Sequence, residues 1–348
     1  MTTRTKITGA VLGAVLAGSA ALVPFVDDAR GQHESRANDI LIAESKDAIP
    51  STTGTDWVSY GDHAAVVQVT AEHEMPADEE EIAAGEGYLS RTVDLDVKER
   101  VWSRAGVTAL PSTLTIVADG WSFKGDTKTR VGSHEASRLE VGHNYLVSLA
   151  HFSDGEWSTL GTGGILPYDN SEIGQGEYEG STVSATAYRA VLKAKLVSGS
   201  EEPLAYRAAA SKASSVKTFL TNATPDPTAA ANYNLDAVAR AKLVYKAALA
   251  AARAKDTFCS VAAPLATAAG SKYTPGELSD ILVDLAGMSD TSAEKWNLTL
   301  YAAQLRSDTG SATTWTGSGQ RGRSATQIEQ ACTIDVGNLL PNDTGDTE

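Results

Sequence analysis

Hydrophobic rhythm divides this chain into two halves. From Trp57 onward, short runs alternate apolar and polar residues or string β-branched residues together: HAAVVQVT (63–70), SRTVDLDVKERVW (90–102), STLTIVA (112–118), NYLVSLAHF (144–152) and EWSTLG (156–161). Turn-rich stretches separate them, as expected between strands. In the second run Val93, Leu95 and Val97 share one side, while Thr92, Asp94, Asp96 and Lys98 share the other. That is the pattern of a half-buried antiparallel strand. Five such strands within about a hundred residues predict a small closed barrel or sandwich.

From Tyr188 the period lengthens and alanine, lysine and leucine dominate. Helices are predicted over 187–196, 203–220, 234–258, 274–287 and 292–306. Leu235, Val238, Leu243, Val244 and Leu249 keep a helical stripe, with Asn234 as its N-cap. Thr274, Pro275 and Glu277 have the spacing of a capping box with proline in the first turn. The segment TNATPDPTAAAN (221–232) reads as a linker, and the helices together as a small bundle.

The amino terminus has a different grammar. Arg4 and Lys6 precede an apolar run from Ile7 to Ala17, and Ser19-Ala20-Ala21 supplies the small residues that a signal peptidase accepts. This order predicts export, with cleavage after Ala21. The alternative is a retained anchor, since the apolar stretch continues to Val26. Residues 1–29 are thus a signal peptide or membrane anchor. Residues 30–55 form a linker with a short helix near 38–46, and 336–348 a disordered acidic tail. Cys259 and Cys332 are the only cysteines, and in an exported chain they are expected to form a disulfide. A reactive thiol is the other reading, but no C-x-x-C accompanies either residue.

Charge narrows the partners. The formal net charge of −15 repels nucleic acid and anionic lipid, leaving a protein or another cell-envelope component as the expected partner.

The stretch RLEVGHNYLVSLAHFSDGEWSTLG (138–161) holds the densest set of candidate catalytic residues. Tyr145, Val147 and Leu149 share one strand face, and Ser153-Asp154-Gly155 has the chemistry of a tight turn. His143 and His151 stand at opposite ends of the strand, more than about 20 Å apart when extended, too far to share a metal or a proton. The segment therefore reads as scaffold whose histidines are unpaired and carry no chemistry.

Several of these segments also carry a resemblance. DHAAVVQVT (62–70), TVDLDVKERVW (92–102), STLTIVADG (112–120), the Leu139, Gly142, Tyr145, Leu146 turn and strand, and GGILPYD (163–169) together resemble the netrin-like domain shared with tissue inhibitors of metalloproteinases. The resemblance covers about a third of the chain and implies an OB-type barrel with a binding habit. The fold class expected is therefore α+β, a five-stranded antiparallel OB-like β-barrel over residues 56–182 followed by an α-helical bundle over 183–335. Family members that inhibit metalloproteinases use an amino-terminal cysteine, and no cysteine precedes Cys259 here, so that mechanism has no counterpart.

Other chemistry is sparse along the chain. The acidic segment 72–87 reads as a solvated loop, because its carboxylates are consecutive where calcium loops alternate them. His73 lacks the partner of an H-E-x-x-H motif. Ser214 and Lys217 satisfy S-x-x-K without the companion motifs, so they read as an exposed helix face. GTGG (161–164) and GSGQRG (317–322) lack the lysine of a phosphate loop and read as turns or linkers. No catalytic, cofactor-binding or metal-ligating residue is assigned, and no cofactor. The expected function is an exported, non-catalytic binding module. The alternatives are a cell-envelope hydrolase and a structural envelope component.

Overall fold

The computed structural model describes residues 40–43, 47–194, 196, 200–254, 257–267, 274–307, 318–334 and 336. The leader and residues 337–348 of the tail lie outside the described residues. The β-rich half comprises β1 (Ile40–Ala43), α1 (Gly54–Tyr60), β2 (His63–Glu74), α2 (Glu79–Ala84), β3 (Glu86–Ser103), β4 (Thr113–Lys124), β5 (Thr127–Ser133) and β6 (Asn144–His151). Four short strands complete it: β7 (Trp157–Thr159), β8 (Ile165–Pro167), β9 (Gly176–Tyr178) and β10 (Ser181–Val183). The helical half runs through α3 (Ala185–Ala194), α4 (Leu204–Ala208), α5 (Ala213–Asn222), α6 (Pro227–Ala230) and α7 (Ala237–Arg253). It ends with α8 (Phe258–Thr267), α9 (Pro275–Met288), α10 (Ser292–Ser307) and α11 (Ser318–Cys332). Among the described residues no helix is long and apolar enough to cross a membrane.

The fold is α+β, but the expected closed five-stranded barrel is not formed. Its place is taken by an open, mixed eight-stranded sheet of order β1-β5-β4-β3-β2-β6-β7, with β8 also paired to β6. Closure requires the two edge strands to hydrogen-bond to each other, and here β1 and β7 end the sheet on opposite sides. Two strands that the hydrophobic pattern passed over cause the difference. WSFKGDTKTRVGS is a hairpin, in which Lys124 pairs with Thr127 around a turn whose Gly125 has a φ of 56°. ILIA, expected near the middle of a short helix, is instead β1, added in parallel to β5.

Burial follows strand parity on both sides of the sheet. Ala65, Val67 and Val69 of β2 and Tyr145, Val147 and Leu149 of β6 enter a core on one face, together with Val93, Leu95, Leu114 and Ile116. The intervening Ala64, Val66, Leu146 and Ala150 enter a second core on the other face. That second core takes in Trp57 and Tyr60 of α1, Leu204 of α4, Val216 and Leu220 of α5, and Ala237 and Ala241 of α7. Core contacts therefore cross residue 183, where the sequence changes from strand to helix periodicity. A third core lies among α8, α9, α10 and α11 and begins with Leu249 near the end of α7. Tyr245 of α7 packs against both the second and the third core.

Local signals fare unevenly. The capping box of α9 is formed: Glu277 N donates to Thr274 Oγ1, and Thr274 N donates to the Glu277 carboxylate. The N-cap of α7 is Asp236 and not Asn234, because the Asp236 carboxylate accepts from Ala239 N at 2.8 Å. The 203–220 segment breaks into α4 and α5, with Ala210 in the left-handed region at a φ of 62°. The 221–232 linker contains the single turn α6, capped by Asp226. The acidic loop carries α2, and residues 318–322, read as a turn or linker, belong to α11.

Gly120 marks a place where β3 and β4 approach too closely for any side chain. A Cβ there would fall inside the Leu89 carbonyl oxygen, beside the register shift between Leu89 and Arg91. Gly120→Ala is expected to destabilise by about 3 kcal/mol in urea unfolding. Gly287→Ala, at a helical position with nothing within 4 Å of its Cβ, should be neutral or slightly stabilising.

Cys259 and Cys332 are bonded, joining α8 to α11 with a Cα–Cα distance of 5.2 Å. The loop they close spans a sequence separation of 73, worth about 4 kcal/mol on the chain-entropy account. Replacing both cysteines by serine should lower the melting temperature by several degrees in calorimetry, and an unchanged transition would refute this.

Candidate functional site

The alternation of β3 contains one anomaly. Arg91 has the parity of Val93, Leu95 and Val97, so its side chain is committed to the apolar face, and the residue is 0% exposed. A guanidinium can be buried there only if its donors are all met. Nε donates to Asp119 O at 2.6 Å, Nη1 to Glu72 at 2.7 Å, and Nη2 to the carbonyls of Arg138 and Leu139. A second buried arginine lies alongside. Arg138 donates to Val131 O, Gly120 O and the Glu140 carboxylate, which also pairs with Arg130. The Trp121 ring lies 6.0 Å from the Arg91 guanidinium carbon and 5.4 Å from that of Arg138.

The cluster continues to Tyr145 and Glu177. The Tyr145 hydroxyl accepts from Glu140 N and donates to the Glu177 carboxylate, which also accepts from Arg138 N and Gly180 N. Glu177 thus touches neutral donors only. Burial raises its pKa above the usual carboxylate range, against the lowering effect of these hydrogen bonds. Glu140 is the reverse case: burial opposes its charge, but Arg138, Arg91 and Arg130 outweigh that and hold its pKa down. Arg91 is pushed down by burial and by Arg138.

The histidines occupy several different settings. His143 is not the unpaired surface imidazole that the sequence suggests. Its Nδ1 lies 2.6 Å from Asp169 Oδ2, and Asp169 Oδ1 accepts from Asn144 N at 2.8 Å. Gly176, at a φ of 127°, leaves room for that carboxylate. His151 stands at the far end of the same strand with its ring 4.8 Å from Trp157, and the buried His63 ring lies tilted against the same indole at 5.6 Å. His63 is held by Ser103 Oγ and Thr108 O. His73 pairs with Asp94 at an exposed position, and His134 lies between Glu135 and Glu179. Ser214 and Lys217 are both exposed on α5, in separate reach of solvent.

Chemically, the arginine cluster is closed. Its carboxylates and hydroxyls face partners within the chain, and of the histidine–carboxylate pairs His143–Asp169, His73–Asp94 and His134–Glu179, the first is the least exposed and so the best placed for a general base held by a carboxylate. Among the described residues no group of three or more histidine, cysteine, aspartate or glutamate side chains could hold a metal ion. A groove of about 550 Å³ lies between α10 and α11, lined by Glu294, Asn297, Arg323, Thr326, Gln327 and Gln330. No protein-family model, curated protein or solved structure matches the chain.

The raised pKa of Glu177 makes stability depend on pH with a definite sign. The folded state holds the proton more tightly than the unfolded chain does, so stability rises as pH falls through the folded pKa and levels off below the unfolded value of about 4.3. Glu177→Gln should remove this contribution. The stability difference between the native protein and the variant should grow in favour of the native protein on acidification from neutral pH toward the unfolded value, read by urea unfolding at each pH. Parallel pH profiles would show that Glu177 does not titrate in this way.

Proposed function

We propose that the protein is an exported binding module that engages a protein or another cell-envelope component without catalysing a reaction. The observation that carries this reading is the open edge of the sheet. β1 has no charged residue, its Leu41 and Ile42 are 39% and 38% exposed, and among the described residues nothing pairs with its outer side. An uncharged, apolar strand edge is what sheet proteins ordinarily guard against, because it recruits another chain. The closed state of the arginine cluster supports the same reading, since its polar groups serve the backbone. The basic, apolar and small-residue order of residues 1–21 and the Cys259–Cys332 bond support export.

The His143–Asp169 pair favours a second reading, a cell-envelope hydrolase with His143 as the base. One experiment separates the two. Purified protein should bind isolated envelope fractions saturably, with no release of soluble fragments. Fragment release abolished by His143→Ala would establish the hydrolase instead.

A further inference from the structure

β1 is held in an unusual way. Among the described residues it forms the only parallel ladder of an otherwise antiparallel sheet, running from the Ile40–Arg130 pair to the Ala43–Ser133 pair. One further bond, from His134 N to Ala43 O, extends that contact. The side chain of Ile40 enters a notch floored by two glycines. A Cβ on Gly132 would come within 3.0 Å of Ile40 Cδ1, and one on Gly180 closer still. Ile42 pairs directly with Gly132, and Leu41 pairs with Val131, which is buried. The β5 edge therefore has the parts of a peptide site: a row of backbone groups for affinity and a shaped pocket at alternate side chains for selection.

We propose that the β5 edge is a peptide-acceptor groove, filled in this chain by its own β1. It takes an extended aliphatic segment of another polypeptide, parallel to β5, with a branched side chain in the Gly132–Gly180 notch. This rests on the reading of the protein as a binding module and names the site and the chemistry of its partner. The occupant is specified by what already sits there: uncharged, extended, and branched at the notch position. Exchange is favoured by the weakness of the resident strand. It is short, its ladder has a single neighbour, and two of its large side chains stay half in water, so its opening is local and does not require the sheet to unfold. A segment from a partner that makes the same ladder competes with β1, and its apparent affinity is reduced by the fraction of molecules in which β1 is docked.

The test uses a fluorescein-labelled peptide with the sequence of residues 38–45, NDILIAES, and the full chain, read by fluorescence anisotropy. Ile40→Asp expels the resident strand from the notch and should bind the peptide at least about tenfold more tightly than the native protein. Adding Gly132→Val, which fills the notch, should abolish that binding. Native circular dichroism and melting in Ile40→Asp with no peptide uptake would overturn the proposal. So would uptake indifferent to Gly132→Val, or dimerisation of Ile40→Asp with the peptide excluded. Should Ile40→Asp fail to fold, hydrogen exchange on the native protein decides. The amides of β1 are expected to exchange faster than those of β4, and exchange only through global unfolding would refute a replaceable strand. Envelope binding that persists while peptide uptake fails would sink the groove and leave the binding module standing.

Discussion

Two buried guanidiniums fix the β-rich half. Arg91 and Arg138 cannot sit inside a sheet unless backbone carbonyls are brought to them, and those carbonyls come from Asp119, Gly120, Val131, Arg138 and Leu139. Four of these bonds join residues 18 to 48 apart in sequence, and the fifth, from Arg138 to Val131 O, spans seven. Gly120 must lack a side chain so that β4 can pass near Leu89 and still present its carbonyl, and Leu139 is held at a φ of 65°. Losing either arginine would leave acceptors and carboxylates unpaired in an apolar setting, a cost of about 3–5 kcal/mol. By comparison, the surface pair of Lys98 and Asp96 adds little.

Much of this architecture was legible where a single face decides the outcome. Val93, Leu95, Tyr145, Val147 and Leu149 announce their core by parity alone, and Thr274 with Glu277 announces a helix start. Sheet closure was not legible, because parity says which side a residue faces and nothing about whether two distant edges meet. β1 was hidden for a related reason: four apolar residues have no period, and strand or helix is settled by the neighbour they find. β5 was hidden by its polar side chains, since TKTRVGS offers a single large apolar residue, Val131, and so no alternation to detect.

The buried cluster left one trace in the sequence. Arg91 occupies the parity of the core-facing valines, and a charge on that side of a strand signals either an error in the strand or a buried polar network. Its partners could not have been found that way, because Arg138, Glu140 and Glu177 lie in turns and short strands without alternation. His143 and His151 were rightly separated by distance along β6. The partner of His143 lay beyond reach of that argument, since Asp169 arrives from a segment 26 residues on.

Helix α7 belongs to two cores at once. Ala237 and Ala241 lie with the sheet, Arg240 ties the helix to Tyr60 O, and Leu249 lies with the disulfide-linked helices. Between them the chain is continuous α-helix, so the cores are related by a rigid screw of about 1.5 Å and 100° per residue and not by a hinge. Their mutual orientation is thus encoded as a count of residues. Inserting a single alanine between Ala241 and Leu249 would preserve every cap, charge and propensity, yet would swing the distal core about 100° around the helix axis. Tyr245, which reaches both cores, could then serve only one.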